Sequence, residues 1–195
     1  MKRRSLLFSA LAAAAVPIRA AAHPTLPAYD VPEEFLPLEV SISEGFEPYE
    51  IHVRPDEFAL YWTLPEQRAM RYTVGIGRAG LYHSGEFYVG AKKEWPSWTP
   101  TPDMIERQPE IYSKYEEGLP GGLENPLGAR ALYLFTPEGG DSYLRIHGTN
   151  NPHTIGRAVS NGCARLVNDQ IIEFYERVPM DTRVVLYPKN HVHEA

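Results

Sequence analysis

The stretch Ile146-His-Gly-Thr-Asn150, followed by Ser160-Asn-Gly-Cys-Ala-Arg165, decides how the rest of the chain is read. His147 closes the alternating run Ser142-Tyr-Leu-Arg-Ile-His147, which has the pattern of a strand. Cys163, the one cysteine of the chain, follows in a glycine-containing turn. Acyl transfer needs a nucleophile, a base, a group that orients the base, and donors for the oxyanion. Cys163 supplies a thiol, and His147 can take its proton, hold the thiolate as an ion pair and return the proton to a leaving amine. The Gly148 carbonyl can fix the imidazole tautomer. Gly162 permits a tight turn and close approach, so the N–H groups of Gly162 and Cys163 are candidate oxyanion donors. Arg165, two positions on, falls on the face of Cys163 in an extended segment, where it can meet a substrate carboxylate or form a structural salt bridge. A free cysteine is equally often a small buried hydrophobe, so the thiol by itself leaves both readings open.

Outward from this stretch the chain reads as mainly β. Glu50–Arg54, Phe58–Trp62, Ala69–Val74 and Gly85–Val89 are short runs rich in β-formers, as are Ala129–Phe135 and Arg183–Tyr187. The first of these suggest a meander of hairpins, with one turn near Thr63-Leu64-Pro65-Glu66. Between Gly90 and Gly128 proline is too dense for a long regular element. A short helix is expected there over Thr101–Arg107, and Trp95 and Trp98 either line a cleft or pin the loop. Asn168–Arg177 reads as a helix with Asn168 as its cap.

The N terminus has the layout of a signal peptide over residues 1–22: Lys2, Arg3 and Arg4, an apolar run Leu6–Val16, then Ala20-Ala21-Ala22. An uncleaved anchor is the alternative, and Arg3-Arg4 leaves the Sec and twin-arginine routes both open. Residues 23–48 form a proline-rich arm, 49–187 the catalytic domain and 188–195 a tail. Four of the 19 basic residues lie in the leader, which leaves 15 against 25 acidic residues in the mature chain. Such a surface argues against nucleic acid or anionic lipid as partners, and no later apolar run suggests stable membrane insertion. Export usually brings oxidising conditions, in which a lone thiol is unusual and is flagged as reactive.

The segment resembles the L,D-transpeptidase (YkuD-like) family of bacterial cell-wall enzymes. The family signature, HG[TN] followed by S-x-G-C-x-R, reads here as His147-Gly-Thr and Ser160-Asn-Gly-Cys-Ala-Arg165. Val74-Gly-Ile-Gly-Arg78, Lys93–Pro100, Asn125–Tyr133 and Ile155-Gly156 also look like family segments, so the resemblance covers roughly Tyr49–Tyr187. Many members carry histidine where Asn161 stands. An asparagine keeps an N–H donor but cannot act as a second base, which leaves the proton transfers to His147. The resemblance implies a β-sandwich-like domain with a few short helices and no metal or organic cofactor. Its catalytic residues would be Cys163, His147 and Gly148, and its oxyanion or substrate contacts Ser160, Asn161, Gly162 and Arg165. The implied reaction is attack on the bond between a diamino acid and the terminal D-alanine of a peptidoglycan stem tetrapeptide. A thioester forms, and an amine of another stem or a wall-anchored lipoprotein resolves it, in the periplasm or cell envelope. Competing expectations are an L,D-carboxypeptidase or hydrolase of the same bond, a non-catalytic peptidoglycan-binding domain, and a metal site of His147, His153, His191 and His193.

Overall fold

The alternating segments become the long strands. The computed structural model describes residues 24–189, so the leader, His191 and His193 lie outside the described residues. The first half holds β1 (Leu38–Ser41), β2 (Ile51–Arg54), β3 (Ala59–Leu64), β4 (Arg68–Thr73), β5 (Ile76–Gly77) and β6 (Gly85–Glu94). Helices α1 (Pro102–Arg107) and α2 (Pro109–Tyr112) follow. Then come β7 (Arg130–Phe135), β8 (Asp141–His147), β9 (Ala158–Ser160), β10 (Ala164–Arg165), α3 (Asn168–Arg177) and β11 (Arg183–Leu186).

The main sheet has the order β1-β4-β3-β2-β11-β6-β7-β8-β10, while β5 and β9 pair separately. Its pairs are antiparallel except β2 with β11 and β8 with β10. The sheet also meets itself. Gly75, two residues beyond β4, exchanges both backbone hydrogen bonds with Arg165 of β10, at 2.9 and 2.8 Å. From β4 round to β10 the strands therefore enclose one core, and β1 is left outside as an edge. Trp62, Tyr72, Leu60, Leu132, Ile146 and Phe174 all belong to that core. This is the expected mainly β, sandwich-like domain with short helices.

Helix α3 closes the core because its buried apolar side chains, Ile171 and Phe174, fall on one stripe. Phe174 meets Trp62 and Tyr72 edge-on, at 6.1 and 5.1 Å between ring centroids. At the helix C terminus the Lys92 ammonium donates to the carbonyls of Tyr175 and Val178, at 2.5 and 2.6 Å. A cation there answers the carbonyls left without intrahelical partners.

Three expectations are corrected. The strand at Gly85 does not stop at Val89 but runs to Glu94, since the first proline of the dense region is Pro96. Its pairing with β7 shifts at Gly90, where a Cβ would lie 2.3 Å from the Phe135 ring. The turn after β3 is confined to Pro65–Gln67, with Glu66 and Gln67 at positive φ, while Thr63 and Leu64 remain paired. Asn168 does not cap α3: Val167 occupies the N-cap place and makes no side-chain capping bond. The helix over 101–107 forms as expected, with the Thr101 hydroxyl accepting from the Met104 N–H at 3.3 Å. The proline-punctuated arm contributes β1, which pairs with β4 from Leu38 to Ser41.

Candidate active site

β8 and β10 lie side by side with Ala164 opposite Ile146 and Arg165 opposite His147. Side chains alternate between the faces of a strand. Ala164 and Ile146 point into the core, so Arg145, His147, Cys163 and Arg165 share the other face. By this register Cys163, one residue before β10, is level with Arg145, and His147 stands two residues further along β8. Two short strands thus bring together residues well separated in sequence.

His147 is buried, and its Nδ1 lies 2.6 Å from the Gly148 carbonyl oxygen. A carbonyl only accepts, so Nδ1 carries the proton and Nε2 presents its lone pair. Burial, and next the charge of Arg165, hold the imidazole pKa down to about 3. Burial pushes the Cys163 thiol up, against the lesser opposing pull of the Arg145 backbone and the Arg145 and Arg165 charges. Burial thus disfavours the charged form of each group, the imidazolium of His147 and the thiolate of Cys163.

Gly148 is held in turn by a residue that the sequence offered only as a helix cap. The Asn168 Oδ1 accepts from the Ala129 and Thr149 N–H groups, at 2.9 and 3.3 Å, and its Nδ2 donates to the Thr149 carbonyl at 2.9 Å. A Cβ on Gly148 would lie 2.2 Å from that Oδ1. Asn168 therefore fixes the backbone that fixes the imidazole. Asn125 plays a similar part in the proline-rich segment. Fully buried, it donates to the carbonyls of Pro96, Leu119 and Pro120 and accepts from the Leu127 N–H. Each asparagine joins segments remote in sequence, so no local pattern points to it.

At the nucleophile turn Gly162 has φ +125°, a backbone conformation suited to glycine. Its N–H donates to the Ser160 hydroxyl at 3.2 Å, and that hydroxyl donates to the Cys163 carbonyl at 2.7 Å. Ser160 thus braces the turn from within. Of the two candidate oxyanion donors, the Gly162 amide is engaged in this way and the Cys163 amide is not. Arg165 lies against Gly75, where a Cβ would be 3.3 Å from Nη2, and its buried Nε and Nη2 have no hydrogen-bond partner. It enters none of the ion pairs of the described residues. Asn161 faces away from proton transfer: its Nδ2 donates to the Tyr112 hydroxyl at 2.9 Å, and its Oδ1 accepts from Arg78 and Arg107. Trp98 packs on Tyr112 and Tyr115, so it pins the proline-rich segment to itself. His153 stands apart from this face on a single 3-10 turn, edge-on to Tyr29. No three histidine, cysteine or carboxylate side chains among the described residues are grouped to hold a metal.

A curled β domain that presents a thiol and an oriented imidazole on adjacent parallel strands defines the class. The L,D-transpeptidase catalytic-domain model (YkuD) matches residues 48–186. The chain belongs to this family. It is 38% identical over 141 residues to ErfK/SrfK of Escherichia coli K12, itself named as an L,D-transpeptidase, covering 69% of this chain and 42% of that one. It is 43% identical over 104 residues to a Fuscovulum blasticum protein also named as an L,D-transpeptidase, covering 53% and 50%. The chain thus spans half or less of these relatives' length. A solved structure from Brucella melitensis, described as a carnitine operon oxidoreductase, is 41% identical with a TM-score of 0.55, over 80% of this chain and 96% of that one.

Proposed function

We propose that the chain is a peptidoglycan L,D-transpeptidase, with Cys163 as nucleophile and His147 as the single base. The observation that carries this reading is the shared outer face of β8 and β10, where Cys163 neighbours an imidazole whose Nδ1 is locked onto the Gly148 carbonyl. The Cys163 sulfur attacks the carbonyl carbon of the diamino acid–D-alanine bond while His147 Nε2 takes the thiol proton. The Cys163 N–H donates to the developing oxyanion, an interaction typically worth ~3 to 4 kcal/mol in the transition state. The imidazolium then gives its proton to the departing D-alanine nitrogen, and a thioester remains on Cys163. An amine of a second stem, or of a wall-anchored protein, attacks the thioester carbonyl and yields its proton to His147; the C–S bond breaks and the Cys163 sulfur leaves, taking that proton back as the thiol. The unpaired guanidinium of Arg165 fits a substrate carboxylate better than a structural salt bridge, for which it has no partner among the described residues. The reaction is placed in the periplasm or envelope, after removal of the leader.

Hydrolysis of the same thioester is the second outcome of one experiment. Mature protein is incubated with purified disaccharide-tetrapeptide and the products are followed by mass spectrometry. Crosslinked dimer supports transpeptidation, whereas free tripeptide alone supports a carboxypeptidase. Equal product from wild type and Cys163→Ala would remove the thiol from the mechanism.

A further inference from the structure

Beside the nucleophile turn two arginines converge on one neutral oxygen. The Nη2 atoms of Arg78 and Arg107 each lie 3.2 Å from the Asn161 Oδ1, so the two cations sit within two hydrogen-bond lengths of each other. Arg78 also donates to the Gln108 Oε1 at 2.7 Å. Like Arg165, neither arginine is in any ion pair of the described residues. The chain as a whole is acidic, with 25 acidic residues against 19 basic. Arg78 is half-buried and Arg107 exposed, and an anion joining the two guanidinium groups would relieve the repulsion between them. Their positions matter as well. Arg78 follows β5 on the strand framework, Arg107 ends α1 in the proline-rich segment, and Asn161 is two residues before Cys163.

We propose that Arg78 and Arg107, spaced by Asn161, form a carboxylate subsite for the donor stem, distinct from Arg165. The inference rests on the reading of the site as an acyl transferase acting on stem peptides. A tetrapeptide donor offers two carboxylates in this neighbourhood: the one on the leaving D-alanine, and one on the side chain of the diamino acid where that residue bears it. Arg fork geometry suits either. A carboxylate taken up here bridges the strand framework and α1.

The test is the rate of Cys163 acylation, read by intact-protein mass spectrometry at several donor concentrations. Three donors are compared: the free tetrapeptide, one amidated at the terminal D-alanine, and one amidated on the diamino-acid side chain. One of the two amidations is expected to raise KM about tenfold, the scale of a lost charge-assisted hydrogen bond. Arg78→Gln and Arg107→Gln should each raise KM for the free donor by a similar factor and leave KM for that amidated donor unchanged. Which amidation acts identifies the carboxylate. If the two variants weaken free and amidated donors alike, the arginines only dock the helices and the inference fails. It fails also if neither amidation matters, with the transferase reading left intact. Failure of all three donors to acylate wild-type protein would overturn both.

Discussion

At the level of single residues, the burial that disfavours charge on Cys163 and His147 bears on what the thiol reacts with. A resting thiolate attacks alkylating agents and oxidants indiscriminately, whereas on the proposed mechanism this thiol gives up its proton only as negative charge develops in a substrate held beside it. Iodoacetamide labelling of Cys163, followed by mass spectrometry, should therefore keep accelerating from about pH 6 through pH 9, above the range of an activated thiol. A plateau below about pH 7 would mean that the ion pair exists after all. The same burial is not readable in the sequence. His147, Gly148 and Cys163 stand out there as candidates because acyl transfer needs those residue types. Their protonation depends on the 4% exposure of His147, a tertiary quantity. Asn168 was legible only as a cap, because its true partners, Ala129 and Thr149, lie in other segments. Asn168→Ala should lower stability by about 1 to 3 kcal/mol, the cost of leaving buried amides unpaired. Acylation should slow with it, and recover in part with Asn168→Asp, whose carboxylate keeps the accepting half. Denaturation midpoints and acylation rates, measured together, check both halves of the expectation.

Among the elements, α3 and the strands behave differently. The helix was legible because its apolar residues recur on one side over ten residues. Phe174 is its deepest contact with the sheet, meeting both Trp62 and Tyr72. Phe174→Ala should cost about 3 to 5 kcal/mol in a urea titration, the usual range for emptying an aromatic site in a packed core. The long strands were legible for the same reason at period two. β5 and β10 were not, since two residues carry no period and are defined only by what they pair with. β1 escaped notice because prolines precede it and its burial pattern is mostly exposed. Gly90 reads in the sequence as the start of a loop, though it is the place where β6 makes room for the Phe135 ring. The fold class was therefore written in the periodic segments, and the site was positioned by the aperiodic ones.

For the molecule as a whole, two buried imidazoles set the response to acid. His52, between Glu50 and the Tyr187 hydroxyl, and His147 are both held below the ordinary value of 6.5, chiefly by desolvation. In the unfolded chain both titrate near that ordinary value, so between it and the folded pKa the unfolded state binds more protons. Stability contributed by the neutral rings is present above 6.5 and drains away below it, for His147 down to about 3. Melting temperature should fall steadily from about pH 7.5 to pH 5, before the carboxylates titrate; a constant or rising value would contradict the burial of these rings. The rung between Gly75 and Arg165 has another consequence, one of timing. A chain made from its N terminus completes β4 long before β10 exists. β10, which follows Cys163 directly, can take its place only when the late part of the chain returns to the early part. Assembly itself would act as a safety catch: a half-emerged polypeptide carries the cysteine without the site proposed around it.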